Sequence, residues 1–332
     1  MMKSNLPSPR AGVGGYIQRR GGVSLSVTLA VSISMLVLVA VLAVLAVLGI
    51  GLWSAAQNTR SLLRDKAELM VSSTINQVRG HLDPARDQVS FMKRLIDNGT
   101  LDPGDRKNFV ATMTEALVAA PQIANLLYID PAFRVLGIVR EPTGPVVFTD
   151  DYTGDPRVSE GMDTGRSRNG VIWGEPLWRE RPKRTMLNIR APLRRNGEFL
   201  GLLVATVGTR QLSRHLAEFD PAVGSNVYIL YDRNHVLAHP NLQSGVPGLS
   251  DDKPLPELTE TGDPVLAAIW RTDNRYPLEI IKGTDLEGHA LDLFNEQYIY
   301  IYRNLSGYGG RPWQIGSYFR AADVDTELLR LR

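Results

Sequence analysis

Between Arg20 and Arg60 the chain carries no charged residue, and the middle of that interval, Val23 to Trp53, is a run of 31 apolar, glycine and hydroxyl-bearing side chains. A helix needs about 20 such residues to cross the hydrocarbon core of a bilayer. The run is too long for the apolar region of a cleavable signal, usually about 7–15 residues. It also lacks the polar stripe of an amphipathic helix packed on a soluble core. Residues 23–53 are therefore expected to form a transmembrane helix. Lys3, Arg10, Arg19 and Arg20 precede the run, and the first acidic residue is Asp65. That asymmetry predicts a cytoplasmic tail over 1–22 and places everything after Trp53 on the far side of the membrane.

The remaining sequence is that of a folded protein: 43% of the 332 residues are hydrophobic, 22% are charged, and the formal net charge is only +2. The charge asymmetry points to a membrane and not to nucleic acid. With no cysteine in the chain, disulfides, thiolate catalysis and cysteine-ligated zinc are excluded.

Beyond Trp53, Val71, Ile75, Val78, Leu82, Ala85, Val89, Met92 and Ile96 alternate in spacings of four and three. This predicts a stalk helix over 54–98 with one apolar seam, free to pack on the chain's own core or to pair with a second copy in a homodimer. Pro84 is expected to kink or break it. A shorter helix is expected over 105–119, followed by strands at 123–129 and 135–139 around Asp130-Pro131, then a polar stretch from Thr149 to Asn169 holding a short helix. Further strands are expected at 171–178, 185–192 and 199–207, the last two joined through Arg195-Asn196-Gly197. A linking helix at 209–219 leads to a hairpin at 227–231 and 236–239. A helix at 264–270 and strands at 278–282, 297–303 and 313–319 complete the pattern. Two groups of hairpin strands with helices set to one side predict an α+β architecture of two antiparallel-sheet modules, 99–210 and 211–320.

Several strings resemble the double Cache (PAS-like) periplasmic sensor domain of bacterial chemoreceptors, histidine kinases and nucleotide cyclases. Asn196 to Val207 (NGEFLGLLVATV), Val227 to Pro240 (VYILYDRNHVLAHP) and Arg311 to Phe319 (RPWQIGSYF) are similar to its last distal strand, first proximal hairpin and closing strand. Ile172 to Trp178 (IWGEPLW), Leu187 to Arg195 (LNIRAPLRR), Gly262 to Trp270 and Leu305 to Trp313 resemble, more narrowly, the sensory halves of class III adenylate/guanylate cyclases. The resemblance implies a bacterial inner-membrane receptor with a periplasmic small-molecule sensor, the input half of a cyclase or alternatively of a chemoreceptor or histidine kinase. Residues 321–332 would then begin the connection to a second membrane helix that this chain does not include. Amino-acid-binding members carry an Arg-x-Trp-Tyr string and a late Asp in the distal module. Here the corresponding loop is Asp155 to Gly170, without the aromatic pair, and Thr206 stands at the position of the Asp.

In such a module a ligand would lie on the open face of the distal sheet beneath the 149–169 segment. The candidate contacts are Tyr128, Arg140, Arg157, Arg166, Trp173, Trp178, Asn188 and Arg190. Their guanidinium groups favour a carboxylate or phosphate, hence an anionic small ligand. His235 and His239 have the spacing of helical metal ligands but lie in a predicted hairpin, so no metal is expected. No G-x-S-x-G, H-E-x-x-H or phosphate-loop motif occurs, and Gly307, Gly309 and Gly310 lack a dinucleotide-binding context. Neither a cofactor nor a catalytic domain is expected. The competing class is a membrane-tethered periplasmic hydrolase or binding protein.

Overall fold

The apolar run and the heptad seam both fall in one helix, α1 (Gly22–Asp97). The computed structural model describes residues 22–180, 183–218 and 226–323, and divides into units 1–62 and 63–332. In the first unit the segment Leu29–Ser54 is long and apolar enough to cross a membrane, and none of it is buried by protein. Side chains such as Leu36 and Leu52 are exposed, as hydrocarbon contact requires. Residues 1–21 lie outside the described residues.

In the second unit the seam residues Val71 to Ile96 are all buried in the chain's own core. The intrachain alternative thus takes up the seam. The helix continues through Pro84 without the expected break. Leu82, Ala85 and Val89 on either side are fully buried, and that packing outweighs the one backbone donor the proline lacks.

The first sheet contains β1 (Ile123–Ile129), β2 (Arg134–Glu141), β3 (Gly144–Asp151), β4 (Ile172–Trp173), β5 (Leu177–Arg179), β6 (Arg184–Arg195) and β7 (Glu198–Gly208). They run antiparallel in the order β3-β2-β1-β7-β6-β4, with β5 also on β6. Helix α2 (Arg106–Ala119) begins at Asp105, whose carboxylate accepts from the Asn108 N–H. Helix α3 (Pro156–Ser167) lies within the expected polar stretch. Proline opens its first turn, and Asp155 accepts from the N–H groups of Arg157 and Val158. Asn196 and Gly197 both have positive φ (53° and 86°) between β6 and β7, as a type I′ hairpin turn requires.

Helix α4 (Thr209–Glu218) leads to a second sheet of β8 (Asn226–Tyr231), β9 (His235–Ala238), β10 (Arg275–Pro277), β11 (Glu287–Leu293), β12 (Glu296–Leu305) and β13 (Trp313–Arg320). Its order is β10-β11-β12-β13-β8-β9. In both sheets the first strand lies between the second and the last, so the two modules share a winding.

Four local expectations change. β3 was not anticipated, because it is a largely exposed edge strand without a burial pattern. The expected strand 171–178 divides into β4 and β5. The expected strand 278–282 holds a 3-10 turn, Glu279–Ile281, and the strands flanking it are β10 and β11. The expected helix 264–270 shortens to α5 (Pro264–Ala267). Phe219, the expected end of α4, lies outside the described residues.

The first sheet turns one face to α1 and α2 and the second turns one face to α1, and these faces form one continuous apolar core with the seam. The opposite faces differ, and that difference defines the site.

Candidate functional site

Strand alternation sorts the first sheet into two faces. Leu187, Ile189, Ala191, Leu203, Ala205 and Val207 face α1. Leu127, Ile129, Leu202 and Val204 face α3, where they pack with Met162. Asn188 pairs with Thr206 and Arg190 with Val204 across β6 and β7, so Asn188, Arg190 and Thr206 share the α3 face. There they line a cavity of about 410 Å³, within the usual range of small-molecule sites. α3 roofs it with Val158, Gly161 and Thr164, and Ile172 to Leu177 form one wall.

The two glycines of α3 let it lie close to the sheet. A Cβ at Gly161 would come within 3.2 Å of the Arg190 guanidinium, and one at Gly165 would collide with Leu202.

Arg190 donates through Nε to Asn188 Oδ1 at 2.7 Å. The amide of Asn188 is fixed in turn by donating to the Glu175 carbonyl, also at 2.7 Å. Among the described residues no carboxylate lies within ion-pairing distance of Arg190. Burial pulls its guanidinium below the ordinary value, partly countered by Glu160 and Glu175, and it remains charged at neutral pH. Thr206 is 1% exposed, and its hydroxyl has no hydrogen-bond partner. The floor thus presents, on one face, a half-buried cation whose only side-chain partner among the described residues is a neutral amide and a buried hydroxyl with no partner, and the hydroxyl is costly to bury in that state.

Of the residues expected from sequence, Arg157, Trp173, Asn188 and Arg190 border the cavity. Arg157 sits at its mouth, paired with Asp251 at 2.7 Å and Asp155 at 3.4 Å. Trp173 borders it while its ring packs on the opposite side, 5.5 Å from Tyr308. The other four lie elsewhere. Tyr128 falls on the α2 side of β1, in edge contact with Phe109. It donates to the Leu200 carbonyl, and burial pushes its hydroxyl up to about 12. Arg140 is spent on the end of α2 and the following turn, donating to the carbonyls of Leu117, Ala120 and Ile123. Arg166 pairs with Asp163 and lies over the Phe199 ring. Trp178 donates to Glu180 beside Lys183, Arg210 and the 244–249 loop.

Sequence reasoning did not place Tyr152, Asp155, Glu160, Thr164, Arg168 or Glu175 here. Thr206, set by the resemblance at the position of the family's Asp but not counted among the candidate contacts, does line the cavity, with the same parity along β7 as Leu202 and Val204. Of the two histidines, His235 accompanies Asp232 at 3.0 Å and His239 lies 3.3 Å from Asp263. Among the described residues no cluster of three or more potential metal ligands occurs.

No protein-family model matches the chain, and no curated protein matches it. Solved structures do resemble it in fold. The sensory domain of the Campylobacter jejuni chemoreceptor Tlp3 (CcmL) aligns with a TM-score of 0.54 at 12% identity, over 82% of this chain and 97% of that one. A methyl-accepting chemotaxis protein X aligns at 0.55 and 14% identity, over 79% and 99%. The ligand-binding domain of the Pseudomonas aeruginosa PAO1 amino-acid chemoreceptor PctC, in complex with GABA, aligns at 0.50 and 16% identity, over 79% and 99%. The chain therefore has the α+β, two-sheet fold of chemoreceptor sensory domains, preceded by an apolar helix.

Proposed function

We propose that this chain is the sensory part of a membrane-anchored bacterial receptor, and that its first module binds a small organic anion in the cavity beneath α3. The observation that carries the ligand class is the half-buried Arg190 guanidinium, without an ion-pair partner among the described residues and on the same face of the sheet as the unsatisfied Thr206 hydroxyl. A carboxylate or phosphate oxygen supplies the missing acceptor for both. Tlp3 has been solved with isoleucine bound, and PctC with GABA. In the present chain Thr206 cannot neutralise an ammonium group, which favours an anion without one.

On this reading residues 1–22 are cytoplasmic, 23–53 span the inner membrane, and 54–98 join the membrane to a periplasmic pair of modules, 99–210 and 211–320. The fold likeness to chemoreceptor domains favours a chemoreceptor-type output over a nucleotide cyclase. The homodimer expected through α1 would have to use a face other than the buried seam.

The test is thermal unfolding of the full chain in nanodiscs with succinate, L-malate, citrate, phosphate, L-isoleucine, GABA and putrescine. A ligand present at 100 times its Kd stabilises by about 2.7 kcal/mol. Stabilisation by one or more of the organic anions, lost in Arg190→Gln, is expected. A response confined to putrescine, or one indifferent to Arg190→Gln, contradicts the ligand class.

A further inference from the structure

The wall of the cavity is not built by the first module alone. The loop joining β12 to β13, residues 306–312, reaches from the second sheet to the cavity, and Gly310 is part of its lining. A Cβ at Gly310 would collide with the Glu175 carboxylate, and one at Gly309 would sit 3.7 Å from the Gly174 carbonyl. The loop therefore lies backbone-first against the Gly174-Glu175 wall. Gly307 and Gly309 take φ values of 99° and 147°, which side-chain-bearing residues rarely adopt.

Tyr308, in the middle of this loop, is 5% exposed. Its ring stacks on Trp313 at 5.2 Å and tilts against Trp173 at 5.5 Å. Its hydroxyl donates to Asp83 of α1 at 2.6 Å. β4 thus has two outlets. Ile172 lines the cavity opposite Arg190, and its neighbour Trp173 touches Tyr308. Arg311 anchors the far end of the loop to Asp232 at 3.2 Å.

We infer that this glycine loop is the physical connection between cavity occupancy and α1, with Tyr308 as its positioning residue. The inference rests on the sensor reading above and adds the route. A ligand that moves β4 or Glu175 displaces Trp173 and the Gly309-Gly310 backbone, and Tyr308 transfers the displacement to Asp83. Occupancy biases α1 because the Tyr308–Asp83 bond and the Trp173 contact are made in one position of the wall and strained in the other, which supplies the difference in free energy that a switch requires.

The chain's lack of cysteine allows a test that does not depend on knowing the natural ligand. Thr164→Cys, half-buried in the cavity roof, is labelled in the full chain with the anionic reagent sulfonatoethyl methanethiosulfonate. Complete labelling is verified by mass, and Ile172→Cys is the second attachment point if the first variant does not fold. Amide hydrogen exchange is then compared with and without label, in the wild-type background and in Tyr308→Phe, which keeps the ring and removes only the hydroxyl. The expected result is a change in exchange at α3, at 306–311 and at 79–90 of α1, with the α1 change reduced at least several-fold in Tyr308→Phe and in Asp83→Ala, which removes the acceptor, while the α3 change persists. An α1 response of equal size in Tyr308→Phe overturns the route and leaves the sensor reading standing. A response at α3 with none at α1 in the wild-type background overturns both.

Discussion

The two sheets share a strand order and a common apolar face toward α1, yet their opposite faces are finished in different ways. In the first module that face carries Asn188, Arg190 and Thr206 beneath a helix held close by glycines, and a cavity remains. In the second it is filled. Tyr228 and Tyr300 are fully buried, Tyr302 and Tyr318 nearly so, and His289 stacks on Tyr300 at 5.0 Å. The hydroxyls of two of these tyrosines are used internally: Tyr300 donates to the Val265 carbonyl at 2.7 Å and Tyr318 to Asp263. The Tyr228 hydroxyl, like that of Thr206, has no hydrogen-bond partner, so what separates the two faces is space: one winding yields a face filled by aromatic packing and a face that keeps a cavity beside its polar side chains, and only the second leaves room for a ligand's polar atoms.

Substitutions should separate the two faces by size and sign. The largest effect is expected for Tyr300→Ala, which empties a packed aromatic position and should cost about 3–5 kcal/mol in urea unfolding. Asp263→Ala should cost about 2–3 kcal/mol, because it removes the acceptor for Tyr318 and the cap on Val265 and Leu266. Asp263 also gives the second module a pH signature. Burial raises its carboxyl, but the His239 ring nitrogen, the Tyr318 hydroxyl and the Leu266 N–H together hold it below the ordinary value. A folded-state value below the unfolded one, about 3.9, means that this stabilisation is complete above about pH 4 and is lost as pH falls through the folded value. Acid unfolding curves of the wild type and Asp263→Ala should converge there.

In the first module Gly165→Ala should cost about 1–3 kcal/mol, by pushing α3 off Leu202, and should also weaken ligand. Thr206→Val is the smallest change and has the opposite sign. It should stabilise the ligand-free protein by about 1 kcal/mol, since an unsatisfied buried hydroxyl is removed, while reducing ligand affinity. Destabilisation by Thr206→Val in the absence of ligand would show that the Thr206 hydroxyl is already satisfied within the first module.

The features set by local chemistry were readable in the sequence: the 31-residue apolar run, the heptad seam, the Asn196-Gly197 turn, and Asn188 and Arg190 alternating along β6. Side chains whose position depends on tertiary choice were not. Tyr128 is an aromatic residue next to the cavity in sequence but of the wrong parity on β1. Arg140 and Arg166 are cations whose partners, a helix end and a neighbouring Asp, are supplied by the fold. Glu160 and Glu175 sit at exposed positions of a helix and a loop, with no periodicity to mark them. The Gly307–Gly310 cluster reads as a turn, and its contact with Glu175 joins elements more than 130 residues apart.

The central claim is that the first module's polar face is the ligand site. Its most direct test is calorimetric titration of the full chain in nanodiscs with whichever organic anion stabilises it most, repeated with Arg190→Gln and Thr206→Val. We expect one site per chain and an affinity loss of about 10-fold or more in Arg190→Gln, the weight of a charge-assisted hydrogen bond, with a smaller loss in Thr206→Val. Unchanged affinity in both variants would place the ligand elsewhere and contradict the account.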